Sequence, residues 1–409
     1  MTKILKERFF LQKTKINSTL IGILGLTMVT RLDSVMAPSI VKIQQTFPQA
    51  DVTQVESIAS IGDVASMIAS FIFGFILTKI TYKHAALIGL SLLAAGGLLP
   101  IFIHQSIAQL LFFALIVGLG SGVITTVLPS LSAATYQGER RSKQFGWNVA
   151  LEDGFAMVWI VLGGFLANIS WQDNYYIYGI TLVAWILALF FVPNLHPKDT
   201  ATTATSGAQP NKNRWSLIIS LLLIAMIVEM LVAVLSNKMA IYLHTYHIGG
   251  PSTAGQALVF VRAASIVTGV FISFFRRTLH NYLLAGGFGS ILIGASLFIK
   301  IHTFVASAIG AFLIGTGGAI ILITVPFLLS NLTAATTYPI VMGSFSALTS
   351  LGFAFSAWFF KYVTAWFTTN NLSGTFILTA LISGMIMMLL IVTNLQKRAT
   401  LPNEKIEEV

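Results

Sequence analysis

Residues 19–40 read TLIGILGLTMVTRLDSVMAPSI, an apolar run long enough to cross a bilayer as a helix. Two opposite charges, Arg31 and Asp33, interrupt this run. A charged side chain in the bilayer core costs about 2.5–3.5 kcal/mol on insertion scales, so it is expected only where it has a structural partner or a function. The stretch therefore predicts a spanning helix and a candidate site within it.

The composition of the whole chain agrees with a membrane protein. Of its 409 residues, 56% are hydrophobic and 9% are charged, which excludes an ordinary soluble domain. The absence of cysteine excludes disulfides, thiolate metal sites and cysteine nucleophiles. The first apolar segment is too long for the core of a signal peptide, and similar segments follow it, so we expect it to be retained.

The distribution of charge predicts the orientation. Most of the 24 Lys and Arg residues fall in tails and connections that alternate to one side. This positive-inside pattern predicts a multi-pass protein of the inner (cytoplasmic) membrane with both termini cytoplasmic. This excess of basic residues on the cytoplasmic side of the lipid bilayer accounts for the net charge of +10, so we expect no nucleic-acid partner. We expect the chain to act as a monomer.

Apolar runs of about 20 residues predict an all-α polytopic protein with 12 transmembrane helices. A polar tract at 193–214 predicts a flexible cytoplasmic linker between a bundle at 1–192 and a bundle at 215–409. The predicted spans are 17–40, 53–79, 84–103, 107–132, 144–168, 174–192, 215–243, 253–275, 280–301, 303–329, 338–362 and 372–395.

The two halves repeat each other at an offset of 197 residues, which aligns Gly118, Gly120 and Pro129 with Gly315, Gly317 and Pro326. Because six helices return the chain to its starting side, the repeat predicts two pseudo-symmetric six-helix bundles related by an axis along the membrane normal. The GxxxG spacing of Gly118 and Gly122 predicts close helix packing rather than a phosphate loop.

With this architecture the chain resembles the major facilitator superfamily over essentially its whole length. Residues 32–40, LDSVMAPSI, are similar to the first-helix signature of its drug:proton antiporters, and 163–167, GGFLA, followed by Ser170 and Trp171, are similar to the end of its fifth helix. Other positions depart from the family pattern: Thr78, Thr81, Ala114, Trp159 and Ile160. The resemblance implies that the first helix of each half lines a central cavity and that the second and fifth helices form contacts between the halves.

The membrane segments carry the candidate proton-coupling residues. At about 1.5 Å of rise per residue, Asp63, Glu152, Asp153 and Arg262 come near the midplane, and Arg31, Asp33 and Glu229 lie in the outer half. Asp63 belongs to a polar stripe that lipid would not tolerate, which fits either a cavity lining or an interhelical hydrogen-bond seam. Proton-coupling candidates are Asp33, Asp63, Glu152, Asp153 and Glu229.

Two readings of the acids stay open. The adjacent carboxyls of Glu152 and Asp153 are able to carry a proton as access alternates; equally, one of them neutralises Arg262 or Arg31. On an α-helix, Arg31 and Asp33 stand about 200° apart, so each needs its own partner, unless unwinding at Pro38 spreads to them. Substrate-binding candidates are Arg31, Asp33, Asn148, Trp159, Glu229 and Arg262.

These features predict a secondary transporter and not an enzyme. The sequence contains no P-loop, metal-ligand spacing or cofactor motif, so we expect an ion gradient to supply the energy. The leading hypothesis is proton-coupled efflux of a small amphipathic organic solute by alternating access around a midplane site. Alternatives are proton-coupled uptake or exchange of a polar metabolite or organic acid and, more remotely, a membrane-embedded enzyme or lipid scramblase.

Overall fold

The computed structural model describes residues 18–50, 52–199, 214–249, 251–366 and 371–400, and these contain helices and connections without a strand. Eleven helices of the described part are long and apolar enough to cross a membrane, and a shorter apolar helix, Ile61–Ile76, lies within the second predicted span. The all-α fold with twelve spanning segments is therefore confirmed.

The helix bounds follow the predicted spans closely, except that the predicted spans 17–40 and 253–275 are each divided into shorter helices. The helices are α1 (18–29), α2 (Ile40–Thr46), α3 (Val52–Ile76), α4 (Tyr82–Leu98), α5 (Ile107–Thr135), α6 (Gly138–Ile169), α7 (Ile180–Phe191), α8 (Trp215–Thr245), α9 (Pro251–Val270), α10 (Ile272–Leu279), α11 (Leu283–Lys300), α12 (Phe304–Leu332), α13 (Tyr338–Thr364), α14 (Asn371–Thr393) and α15 (Leu395–Ala399). Short 3-10 helices occupy Leu32–Ser39, Leu99–Ile101, Trp171–Gly179 and His280–Tyr282.

Polar residues at the segment ends fix where these helices begin. Ser106 caps α5 by accepting a hydrogen bond from the Gln109 backbone, and the Gln109 side chain completes a capping box. Thr303 caps α12 in the same way, accepting from the Ala306 backbone at 3.3 Å. Ser106 and Thr303 are 197 residues apart, so the sequence repeat reappears in the helix caps.

The repeat also reappears in helix packing. Gly120 of α5 lies against the Gly89 backbone of α4, and Gly317 of α12 lies against the Gly287 backbone of α11. In both places an added Cβ would strike a carbonyl oxygen, so the helix pairs approach more closely than any larger residue permits. Pro129 and Pro326 lie inside α5 and α12 at the same offset.

Contacts group the chain into two compact units. Unit 1 comprises residues 1–137, 155–205 and 335–347, and unit 2 comprises 138–154, 206–334 and 348–409. The first turns of α6 thus belong to unit 2, and the start of α13 belongs to unit 1. The boundary that the sequence predicts at 193–214 stays a prediction, and residues 200–213 lie outside the described part.

Large apolar side chains cover the outside of the helices. Val161, Phe165 and Phe190 are among the side chains that are mostly exposed. In water such a surface would be unfavourable, whereas in hydrocarbon it costs nothing. The exposed apolar surface therefore agrees with a multi-pass membrane protein.

Candidate functional site

The first membrane segment is broken at the charged stretch. Helix α1 ends at residue 29, a turn follows at Thr30 and Arg31, and a 3-10 helix runs from Leu32 to Ser39 before α2 resumes. Within it, the Ser34 N–H donates to the Arg31 carbonyl at 3.3 Å, which is the i to i−3 pattern of a 3-10 helix. Pro38 lies inside this stretch and contributes no N–H, which accounts for part of the break.

The break changes where the two charges point. Asp63 on α3 interacts electrostatically with both the Asp33 carboxyl and the Arg31 guanidinium. The expectation of separate surroundings assumed an α-helix and does not hold, because unwinding near Pro38 extends back to Arg31. Arg31, Asp33 and Asp63 form one group in unit 1, which we call the charged trio.

The trio contains two carboxyls and one guanidinium, and all three side chains are exposed. Lipid does not tolerate exposed charge at this depth, so the trio must face water or a polar ligand. With both acids ionised its formal charge is −1, and one bound proton makes it neutral. The arrangement is able to exchange a proton for a positively charged group.

A small cavity inside unit 1 adjoins the trio. Asp33 lines it together with Gly62 of α3 and with Tyr175 and Tyr178 of the 3-10 helix that precedes α7. Both tyrosines are buried, with exposures of 4% and 2%. The sequence analysis did not select them, although three polar residues, Asn174, Tyr175 and Tyr178, open the sixth segment and were the available signal.

A second pair of charges lies in unit 2. The Arg262 guanidinium on α9 donates a hydrogen bond to the Asp153 carboxylate on α6, and the Asp153 side chain is 9% exposed. This is the arrangement in which an acid of the fifth segment neutralises an arginine, here one whose side chain is half-buried. Glu152, the preceding residue, is half-buried. Asn148, one turn earlier, is buried and accepts from the Gln144 amide at 2.8 Å.

Trp159 of α6 packs against the first segment. It is 7% exposed, and its indole N–H donates to the Met28 carbonyl of α1 at 2.9 Å. The Phe155 ring stacks on it with centroids 6.0 Å apart. The side chain therefore links α6 to the end of α1, immediately before the break.

The acid of the second half has a different backbone setting. Glu229 is half-buried on α8, which runs without interruption from Trp215 to Thr245. The repeat offset places Asp33 at position 230, beside Glu229, yet only the first of these related segments is broken. Within the described residues, no group of three or more His, Asp or Glu side chains is arranged to hold a metal ion.

Similar folds occur among solved structures. The human organic anion transporter MFSD10 (TETRAN) matches with a TM-score of 0.68 and 12% identity, over 94% of this chain and 99% of that chain. The proton:xylose symporter XylE, bound to 6-bromo-6-deoxy-D-glucose, matches with a TM-score of 0.71 and 15% identity, over 93% and 96%. FucP in the outward conformation matches with a TM-score of 0.68 and 14% identity, over 94% and 98%. At such identities the likeness shows the fold.

No curated protein sequence matches the chain significantly. The family model described as Major Facilitator Superfamily matches residues 18–336, which is well over half of the chain. The twelve spanning segments, the solved structures and this match agree. The chain belongs to the major facilitator superfamily and is a multi-pass membrane transporter of the secondary type.

Proposed function

We propose that the protein exports a small amphipathic organic solute in exchange for protons, as members of the drug:proton antiporter branch do. The observation that carries the proposal is the charged trio, in which the Asp63 carboxyl interacts with both the Asp33 carboxyl and the Arg31 guanidinium. It supports exchange because a proton and a cationic group compete for the same excess negative charge.

The exchange follows from charge balance. With one proton bound the trio is neutral, and a neutral group crosses a low-dielectric path at the least cost. When the site opens to the cytoplasm, a cationic solute takes the place of that proton and restores neutrality. When it opens to the opposite side, a proton displaces the solute.

The contacts of the other candidate residues support assigning some of them to structure and keeping others as candidates for transport. Because Asp153 bonds to Arg262, we assign this pair to structure and not to substrate binding. Asn148 and Trp159 are assigned to packing, since each is buried and bonded to its own neighbours. Glu152 and Glu229 remain candidates for proton coupling, with Glu229 also a candidate for substrate binding.

We further propose that the chain is monomeric in the cytoplasmic membrane, with both termini cytoplasmic.

A second function is uptake or exchange of a polar metabolite or organic acid with protons. Two observations favour it. The similar solved structures include a transporter named for organic anions and a proton:xylose symporter. The Arg31 side chain is exposed, and a guanidinium binds carboxylates well. In this case the proton and the solute move in the same direction.

The direction of proton movement separates the two functions. Purified protein is reconstituted into liposomes that contain a pH-sensitive dye, and ethidium, benzoate or xylose is added outside. Under the proposal, ethidium enters as protons leave, so the lumen becomes alkaline relative to protein-free liposomes. Acidification by benzoate or xylose would support the second function instead. Net uptake of any of the three solutes without a change in lumenal pH would overturn proton coupling.

A further inference from the structure

The Val35 carbonyl lies at the centre of the broken segment. In a 3-10 helix the carbonyl of residue i accepts from the N–H of residue i+3, so the partner of Val35 would be residue 38. That residue is Pro38, which has no N–H. A buried carbonyl without a donor is costly, so another group must supply the hydrogen bond.

Asn174 supplies it. Its side-chain amide donates to the Val35 carbonyl at 3.2 Å and also contacts the Ser39 hydroxyl. Asn174 is 0% exposed and belongs to the 3-10 helix Trp171–Gly179, which precedes α7. Two irregular segments of unit 1 are thus joined through one amide group.

Helix α6 makes room for the same carbonyl. A Cβ at Gly163 would clash with the Val35 oxygen, so a glycine there lets α6 pass directly beside it. Residues of three elements, Val35, Asn174 and Gly163, therefore meet at one point. Val35 is two residues from Asp33 and four from Arg31, so the backbone fixed here is the backbone that carries both charges.

We infer that Asn174 is a positioning residue, which replaces the hydrogen bond that Pro38 cannot donate and thereby holds Arg31 and Asp33 beside Asp63. This inference deepens the proposed function, since it concerns the same trio. Its structural part, the placement of the segment, is testable without any substrate.

The placement test uses the absence of cysteine from the chain, because a single introduced cysteine is the only thiol. Ser34→Cys lies inside the segment and reports its exposure to a charged methanethiosulfonate reagent. Asn174→Ala is expected to change the labelling rate of Ser34→Cys at least threefold. The rate at Gln105→Cys, in an exposed loop of the same unit, should stay the same. Equal rates at Ser34→Cys with and without Asn174 would overturn the inference.

Thr181→Val is the matched control. Thr181 is buried just beyond the same 3-10 helix, and its hydroxyl donates to the Tyr178 carbonyl at 2.6 Å, within its own segment. It should leave the labelling of Ser34→Cys unchanged. An equal change in both variants would mean that any loss of packing in this region moves the segment, which also overturns a specific role for Asn174.

Pro38→Ala provides a rescue, since alanine restores an N–H within reach of the Val35 carbonyl. Asn174→Ala should lower the melting temperature less in the Pro38→Ala background than in the wild type. If Asn174→Ala alone does not fold, the double variant should fold. Additive losses, or a double variant that does not fold while Pro38→Ala does, would contradict the inference.

The pH profile of transport links placement to proton exchange. Asn174→Ala should shift the pH midpoint of ethidium-driven proton movement, and Thr181→Val should not. If Asn174→Ala changes the labelling rate of Ser34→Cys but the wild-type protein moves no protons, the proposed function fails and the placement of the segment by Asn174 stands. An unshifted pH midpoint in a proton-coupled protein would remove the positioning role.

Discussion

The Arg262 guanidinium donates to the Asp153 carboxylate, and the two residues join α9 to α6 inside unit 2. Arg262→Gln leaves a nearly buried carboxylate without its counter-ion. We expect a loss of about 1–3 kcal/mol, below the range for fully buried pairs because 39% of the Arg262 side chain is exposed. The check is the melting temperature in detergent. The Asp153→Asn, Arg262→Gln double variant should recover part of the loss, since no unpaired charge remains; purely additive losses would argue against the pairing.

Asp63→Asn removes one of the two acids of the charged trio. The trio is then neutral at every pH above the range where Asp33 titrates, so it has no exchangeable proton. We expect the variant to lose accumulation driven by a pH gradient and to bind a cationic solute more weakly, because the excess negative charge for which proton and solute compete is gone. Asp199→Asn, at an exposed acid after α7, is the control and should behave as the wild type. Normal accumulation by Asp63→Asn would remove this residue from the coupling mechanism.

Gly118→Ala tests the close crossing of α5 and α3. The added Cβ would clash with the Gly62 backbone, so the helices must separate, and we expect about 1–3 kcal/mol of destabilisation. Gly255→Ala is the matched control in α9, since nothing lies within 4 Å of its added Cβ. It should be neutral or stabilising by up to about 1 kcal/mol through helix propensity. Equal melting temperatures for the two variants would contradict the crossing.

Trp159→Phe removes the indole donor to the Met28 carbonyl and keeps an aromatic ring. We expect a loss of about 1 kcal/mol of stability with little change in substrate affinity, because the ring is buried. Trp147→Phe, at a side chain that is 46% exposed, should change neither quantity. A tenfold loss of affinity in Trp159→Phe without a loss of stability would instead make Trp159 a binding residue.

Hydropathy predicts the spanning segments well, because the length and apolarity of a run decide whether it crosses the bilayer. It does not predict helix pitch. The 3-10 helix at Leu32–Ser39 depends on where the Val35 carbonyl finds a donor, and that donor, Asn174, is 139 residues away in sequence. Similarly, α6 begins at Gly138 and not near 144, because its first turns carry charged residues that hydropathy excludes.

The candidate site was predictable in its residue types more than in its pairings. Intramembrane charges stand out against an apolar background, so Arg31, Asp33 and Asp63 were found from sequence alone. Which charges meet depends on backbone geometry, and here an interrupted helix brings Arg31 and Asp33 to one carboxyl. The Asp153–Arg262 pair was one of the alternatives, since an arginine within a membrane segment needs an acid of some kind.

The close contact of α3 with α5 has a consequence for how the charged trio can change. Gly118 lies against Gly62, and the Thr126 hydroxyl donates to the Ser70 carbonyl at 3.2 Å. These contacts lie on both sides of Asp63 along α3, so the backbone that carries Asp63 is held against α5. Under the proposed function, changes in the separation of the two carboxyls then come mainly from the first segment, so that a few dihedral angles between Thr30 and Ser39 would determine how strongly the trio holds a proton.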